Sequence, residues 1–264
     1  MTSAERLAKL LVKLDRAKSH ISETEISIRA FMDAKPYVVS TKRDPQSRRL
    51  VYYLSTVREP PDKLSAIIGD ALQNLRSTLD HLAWQLVEAN GQRPTRDTTF
   101  PIFKDAVSYQ GGRTVKVTGM SVAVIQIIDE LKPYAGGNAD LSRLHELNKI
   151  DKHRLLLTVG SGFQSVNLAP HMQRMMEKSL PKDWPAKNLQ FPDLFVRPAD
   201  RFVPLKAGDE LFIDGPDAEV NEKIQFRFEI AFAESPVHGE PVLPILHQLA
   251  NVVEGIVTQF KPHL

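Results

Sequence analysis

Leu64, Ile68, Leu72, Leu75, Leu79, Leu82 and Leu86 recur at spacings of 4, 4, 3, 4, 3 and 4, from Asp62 to a stop at Asn90-Gly91. That rhythm is one face of an α-helix, and so continuous an apolar face has to be covered by other elements. Two segments offer the cover. Leu7, Leu10, Leu14, Ala17, Ile21, Thr24, Ile28 and Phe31 keep the same rhythm from an N-cap at Ser3 to about Ala34, and Val242 to Phe260 carries a wide apolar stripe behind Pro241. The first of these helices would be roughly 45 Å long, so its seam is expected to meet either a bundle or a second copy of the chain. With 264 residues and 42% apolar side chains, the chain can close such a core without a disulfide or metal, as one large domain or two intimate ones.

Around this helical frame the pattern changes. Tyr37 to Thr41 and Arg49 to Val57 are β-branched and aromatic, with Asp44-Pro45-Gln46-Ser47 as a turn between them, which predicts a β-hairpin inserted at 36–58. Gln92 to Gly119 reads as a loop excursion with Thr114-Val115-Lys116-Val117 as a β-like piece, and Ser121 to Leu131 as a helix ending before Pro133. After the turn Gly136-Gly137-Asn138, Asp140 is the expected cap of a helix through Arg154. Eleven of the 18 prolines lie at or beyond Pro170, which disfavours long helices until about Pro236. Leu155 to Val159 and Phe163 to Leu168 flank Gly160-Ser161-Gly162 as a hairpin, and Glu210 to Asp214 and Lys223 to Ala233 read as further strands. The expected fold class is α+β: a helical module over 1–155, a β-rich segment over 156–236, and a C-terminal helix over 240–262 packing back on the module.

Zero cysteine excludes a thiol nucleophile, a disulfide scaffold and an iron–sulfur centre. A net charge of +2 excludes recognition of nucleic acid by bulk electrostatics, so any such contact must come from a local patch. The N-terminus has no basic flank followed by an apolar stretch, and no run approaches the ~20 apolar residues that span a bilayer. A cytoplasmic protein without membrane contact is the expectation. Neither Gly160-Ser161-Gly162 nor Gly136-Gly137 continues as a nucleotide-binding loop, and the sequence has no Gly-x-Ser-x-Gly or His-Glu-x-x-His.

With Leu75 at 0° and a step of about 100° per residue, Asp70, Asn74, Ser77 and His81 fall between roughly 200° and 260°, and Arg76 near 100° on the other flank. Asp, Asn, Ser and His in line can hold a phosphate, a metal or a water network; a solvated face looks the same. The order Asn74-Leu75-Arg76-Ser77-Thr78-Leu79-Asp80-His81 resembles the arginine, polar residue and histidine motif of the HEPN family of helical ribonucleases and nucleic-acid-associated proteins, over about residues 60–155. The resemblance implies a helical bundle that dimerises so that two motifs face each other and cleave RNA without metal or other cofactor. Arg76 and His81 would then be catalytic, with Ser77 as the polar neighbour where the family more often has asparagine or aspartate. His81 would move a proton to or from the ribose oxygen, Arg76 would stabilise the pentavalent phosphate, and Asn74 and Asp70 would orient the imidazole. Residues five apart on a helix stand about 140° apart, so a second helix or a second copy must complete such a site. A homodimer is the expected assembly and RNA the expected partner. The rival reading is a non-catalytic binding or scaffold protein that uses the same polar face as an interface or small-ligand pocket.

Two other groups are candidates. On the helix over 141–154, His145, Asn148, Lys149 and Lys152 form a row opposite the leucines, and Glu146, Lys149 and His153 form another. If this helix packs beside the Asp70 to His81 stripe, then His145, Asp151, Lys152 and His153 support the site. Lys152-His153-Arg154 also suits an ordinary exposed helix end, whose dipole favours cations. These rows lack the Glu-x-x-His pairs of a di-iron bundle, and no metal is expected. In the hairpin, Lys42, Arg43, Arg48, Arg49 and Arg58 stand against Asp44 among Tyr37, Tyr52 and Tyr53. Cations for phosphates and rings for stacking make Lys42, Arg43, Arg48, Arg49 and Tyr52 the candidate RNA contacts. A charged strand edge guarded against aggregation has the same composition.

Overall fold

The computed structural model describes residues 1–153, 159–181, 190–197, 203–216 and 218–264. Helices α1 (Ser3–Asp33) and α2 (Asp62–Ala89) run antiparallel and are joined by the strands β1 (Tyr37–Arg43) and β2 (Leu50–Val57). Arg6 near the start of α1 pairs with Glu88 near the end of α2 at 3.0 Å, and Glu23 with Lys63 at 3.4 Å. There follow α3 (Ala106–Lys116), α4 (Val122–Glu130), α5 (Ala139–His153), β3 (Val159–Asn167), α6 (Ala169–Ser179), β4 (Phe195–Val196), β5 (Glu210–Ile213), β6 (Gln225–Phe232) and α7 (Val242–Phe260). The class is α+β.

The leucine face of α2 is covered within the chain. α1, α5 and α7 all pack on it, burying Leu72, Leu75, Leu79 and Leu82 with Leu10, Leu14, Leu246 and Phe260. Each such side chain contributes on the order of 1.5–3 kcal/mol relative to exposure. Two antiparallel sheets, ordered β1-β2-β5 and β4-β3-β6, enclose a second core around Leu54, Phe163, Val166 and Ile224. The Tyr37 and Phe228 rings meet across it at 4.6 Å, and Tyr52 and Phe226 at 5.8 Å. β6 links the two cores: Phe226, with Ile224 just before the strand, belongs to the core between the sheets, while Ile230 and Phe232 belong to the helical core. Among the described residues no helix is long and apolar enough to cross a membrane.

Several local expectations are corrected. The N-cap of α1 is Thr2, not Ser3, because Thr2 and Glu5 close a reciprocal capping box. Helix α3 occupies part of the expected loop excursion, so Thr114 to Val117 is the end of a helix; Asp105 caps it, its carboxylate accepting the Ser108 N–H at 2.7 Å. α5 is capped by Asn138, which accepts the Leu141 N–H at 3.1 Å, while Asp140 instead accepts from Gln248 at 2.8 Å. β3 runs straight through Gly160-Ser161-Gly162 where a turn was expected. Gly160 is there for clearance, since a Cβ on it would come within 2.8 Å of the Pro204 side chain. α6 forms despite the local prolines because Pro170 sits in its first turn, where no N–H is needed. Residues 155–158, the first arm of the expected hairpin, lie outside the described residues.

Candidate functional site

Arg76 is 7% exposed, and one edge of its guanidinium is committed inward. Nη2 forms an ion pair with Asp80 Oδ1, one turn along α2, and donates to the Phe100 carbonyl, each at 2.9 Å. Asp80 Oδ1 in turn accepts the Phe100 N–H at 3.0 Å. Arginine and aspartate together therefore clamp the backbone of Phe100, whose ring is wholly buried. Burial pushes the Arg76 pKa down from its ordinary value, and the Asp80 carboxylate opposes that. The other edge, Nη1, is buried without a hydrogen-bond partner among the described residues.

α5 lies against this part of α2. At one end of the contact a Cβ on Gly69 would come within 2.7 Å of Asp151 Cγ, so any larger residue there has to displace the carboxylate. Burial and then the charge of Asp70 push the Asp151 carboxyl up. Further along α2, the His145 imidazole is pushed down by burial, then by the positive charge of Arg76, with smaller contributions from Lys149 and Lys116; Glu146 opposes them. The approach of Asp151 to Gly69 and the influence of Arg76 on His145 fit one antiparallel register, which puts Gln73 of α2 level with Asn148 of α5. Asn148 is buried, and neither its Oδ1 nor Gln73 Oε1 has a partner among the described residues. From α3, Lys116 reaches the same region. Its Nζ donates to Thr99 Oγ1 at 2.8 Å, and its pKa is lowered by burial and then by Arg76.

The structure thus brings Asp70 near Asp151 and His145 within electrostatic reach of Arg76, but it does not bring Arg76 to His81. His81 is exposed and lines a separate groove of about 490 Å³ with Lys9, Asp80, Trp84, Gln85 and Thr98. Trp84 is 42% exposed, and its Nε1 donates to Glu88 at 3.3 Å. Asn74 turns its amide back on its own helix, Nδ2 donating to the Asp70 carbonyl at 2.7 Å, and Ser77 Oγ accepts from Gln73 at 3.2 Å. Lys152 is exposed; the side chain of His153 lies outside the described residues. Lys116, Thr99, Trp84 and Thr98 were not foreseen. The Asp105 cap three residues before Ser108, with Arg113 and Lys116 in the last turn, is the signal that would have placed Lys116 on a helix.

The hairpin cations are largely engaged. Lys42 pairs with Glu210 at 2.9 Å, and the Arg43 guanidinium donates to the carbonyls of Arg48, Pro216 and Ala218 at 2.9, 2.6 and 2.8 Å. Arg48 takes a left-handed backbone at φ 58°, and both it and Arg49 are exposed. Tyr52 is 4% exposed and its hydroxyl accepts the Asn221 N–H at 2.8 Å, so its ring faces the core and offers no stacking surface. Among the described residues no cluster of three or more His, Asp or Glu could hold a metal ion. No family model matches the chain, and no match is found among curated proteins or solved structures.

Proposed function

We propose that the chain is a non-catalytic binding protein that takes a planar heteroaromatic molecule, of the nucleoside class, in the groove beside α2. The observation that carries this reading is the separation of Arg76 from His81. Arg76 acts as a brace for Asp80 and, through Phe100, for the segment bearing Thr98, and both of these residues line the groove. His81 is left beside a half-exposed indole instead of a guanidinium. Trp84 supplies a stacking face, while Asp80, His81, Gln85 and Thr98 supply hydrogen bonds for the edges of a ring. The groove volume falls within the range of roughly 300–1,000 Å³ typical of small-molecule sites. The test is a fluorescence titration with adenosine and uridine in a Trp184→Phe chain, where Trp84 is the only indole. Saturable quenching is expected with at least one of them and should vanish in Gln85→Ala; a flat response to both overturns the reading.

The second reading is metal-independent RNA cleavage of the HEPN type by a homodimer. The exposure of His81 on α2, where a helix of a second copy can reach it, supports this one. Cleavage of RNA in excess chelator that disappears in His81→Ala, with an unchanged unfolding midpoint, would establish it over the binding reading.

A further inference from the structure

The three buried side-chain atoms without partners among the described residues, Gln73 Oε1, Arg76 Nη1 and Asn148 Oδ1, all lie along the contact between α2 and α5. Native interiors leave few polar atoms unpaired, and a cluster of them calls for a missing partner. Charges of both signs surround them: Arg76, Lys116 and Lys149 are positive, and Asp80, Asp97 and Glu146 negative. Arg76 is close enough to lower the proton affinity of Lys116, whose ammonium sits on Thr99, next to the Phe100 carbonyl that Arg76 holds, and the same two cations act on His145. Asp80 is the carboxylate bonded to Arg76, and it occupies only the Nη2 edge. Lys116 is held by a neutral hydroxyl, that of Thr99, which orients the ammonium without neutralising it.

We propose that this seam is an oxyanion site that holds a phosphate group between α2, α3 and α5, with Arg76 Nη1, Lys116 Nζ and the His145 imidazole as its principal donors. The Asp80 and Phe100 contacts fix the guanidinium plane, so Nη1 is aimed before any ligand arrives, and the ordering entropy of a long side chain is already spent. A half-turn of each amide makes the cradle more uniform. Gln73 keeps its bond to Ser77 with the hydroxyl now donating, and its nitrogen becomes a free donor; the orphan acceptor of Asn148 likewise becomes a donor. The acidic pair Asp70 and Asp151 sits about 9 Å away along α2, Asp70 being six residues before Arg76. The site does not depend on the groove reading, because Trp84, Lys9 and Gln85 take no part in it.

The ligand is either free phosphate or a phosphate carried on a nucleotide, and one experiment separates the two. Thermal unfolding of the full chain is followed against inorganic phosphate and against adenosine 5′-monophosphate, with chloride at equal ionic strength as the control. A ligand that binds only the native state raises the midpoint along a saturation curve. Removing one charge-assisted bond in Lys116→Met or His145→Gln should weaken that curve about tenfold or more. Equal affinities for the two anions assign free phosphate, and tighter binding of the monophosphate assigns a nucleotide. The His145 ring signals in the unmodified chain should move along the same curve, a readout that needs no variant to fold. A midpoint and ring signals indifferent to both anions, or a curve undiminished in both variants, would overturn the proposal.

Discussion

Replacing Gly69 by alanine tests the contact between α2 and α5 directly, because two effects of known sign compete there. Glycine in a helix interior is worse than alanine by about 1 kcal/mol, so in open space Gly69→Ala would stabilise the chain by that much. The space is not open: a Cβ would stand 2.7 Å from Asp151 Cγ and 2.9 Å from its Oδ2. Comfortable carbon contacts lie at roughly 3.5–4.0 Å. A shift of about 1 Å is therefore needed. Either Asp151 swings toward Asp70, whose charge already opposes its ionisation, or α5 lifts from α2. Overpacking of this kind costs about 1–3 kcal/mol. The single substitution should then lie between neutral and a loss of about 2 kcal/mol. In an Asp151→Ala background the obstruction is gone, and the same change should stabilise by about 1 kcal/mol. The coupling between the sites equals the overpacking term, about 1–3 kcal/mol. Urea denaturation of the four chains, followed by far-ultraviolet circular dichroism, measures it. A gain of about 1 kcal/mol in both backgrounds, with no coupling, would show that Asp151 does not lie against Gly69, and the register that aligns Gln73 with Asn148 would fall with it.

Leu79 and Leu249 are buried in the helical core, so Leu79→Ala and Leu249→Ala should each cost about 2–5 kcal/mol; denaturation midpoints equal to those of the unaltered chain would contradict the bundle. His145 should titrate below its ordinary 6.5, chiefly through burial and then through Arg76. The unfolded chain then takes up the proton first. The His145 contribution to stability is therefore complete above about pH 6.5 and declines as pH falls toward the lowered native value. A pH titration of the His145 ring signals by NMR checks this, and a value at or above 6.5 would mean that Arg76 is not its neighbour.

The helices α1, α2 and α7 are legible in the sequence because their apolar rhythm persists over five turns or more, long enough for the period to exclude a strand. The β1-β2 turn is legible for a chemical reason: Asp44 accepts the Gln46 and Ser47 N–H groups at 3.2 and 2.7 Å, which is what an aspartate before a turn does. α3 was hidden by Gly111-Gly112 and by β-branched residues at its end, with Tyr109 as its one buried side chain. Gly160-Ser161-Gly162 has the composition of a turn and so reads as a break in β3, while the reason for the glycines, the approach of Val203 and Pro204, lies some 40 residues on in the chain. The same limit applies to the polar residues. A helical wheel sets Arg76 and His81 on different flanks of α2, but the imidazole within electrostatic reach of Arg76 comes from α5, and Lys116 from a helix whose sequence reads as loop.

α7 is the last of the described helices to be made, and it closes a face laid down by α1 and α2. Roughly 150 residues separate the end of α2 from the start of α7, an interval of roughly 8–30 s at the usual rate of translation. For that time Leu72, Leu75 and Leu79 have α1 on one side and, on the side α7 will occupy, only water or another protein. A ribosome-bound chain in this state displays a greasy strip several turns long, the kind of surface that nascent-chain chaperones bind and that neighbouring chains on a polysome can share. Synthesis that stalls within the β-rich segment would leave that strip permanently open, so premature termination there should yield aggregates instead of a smaller soluble bundle.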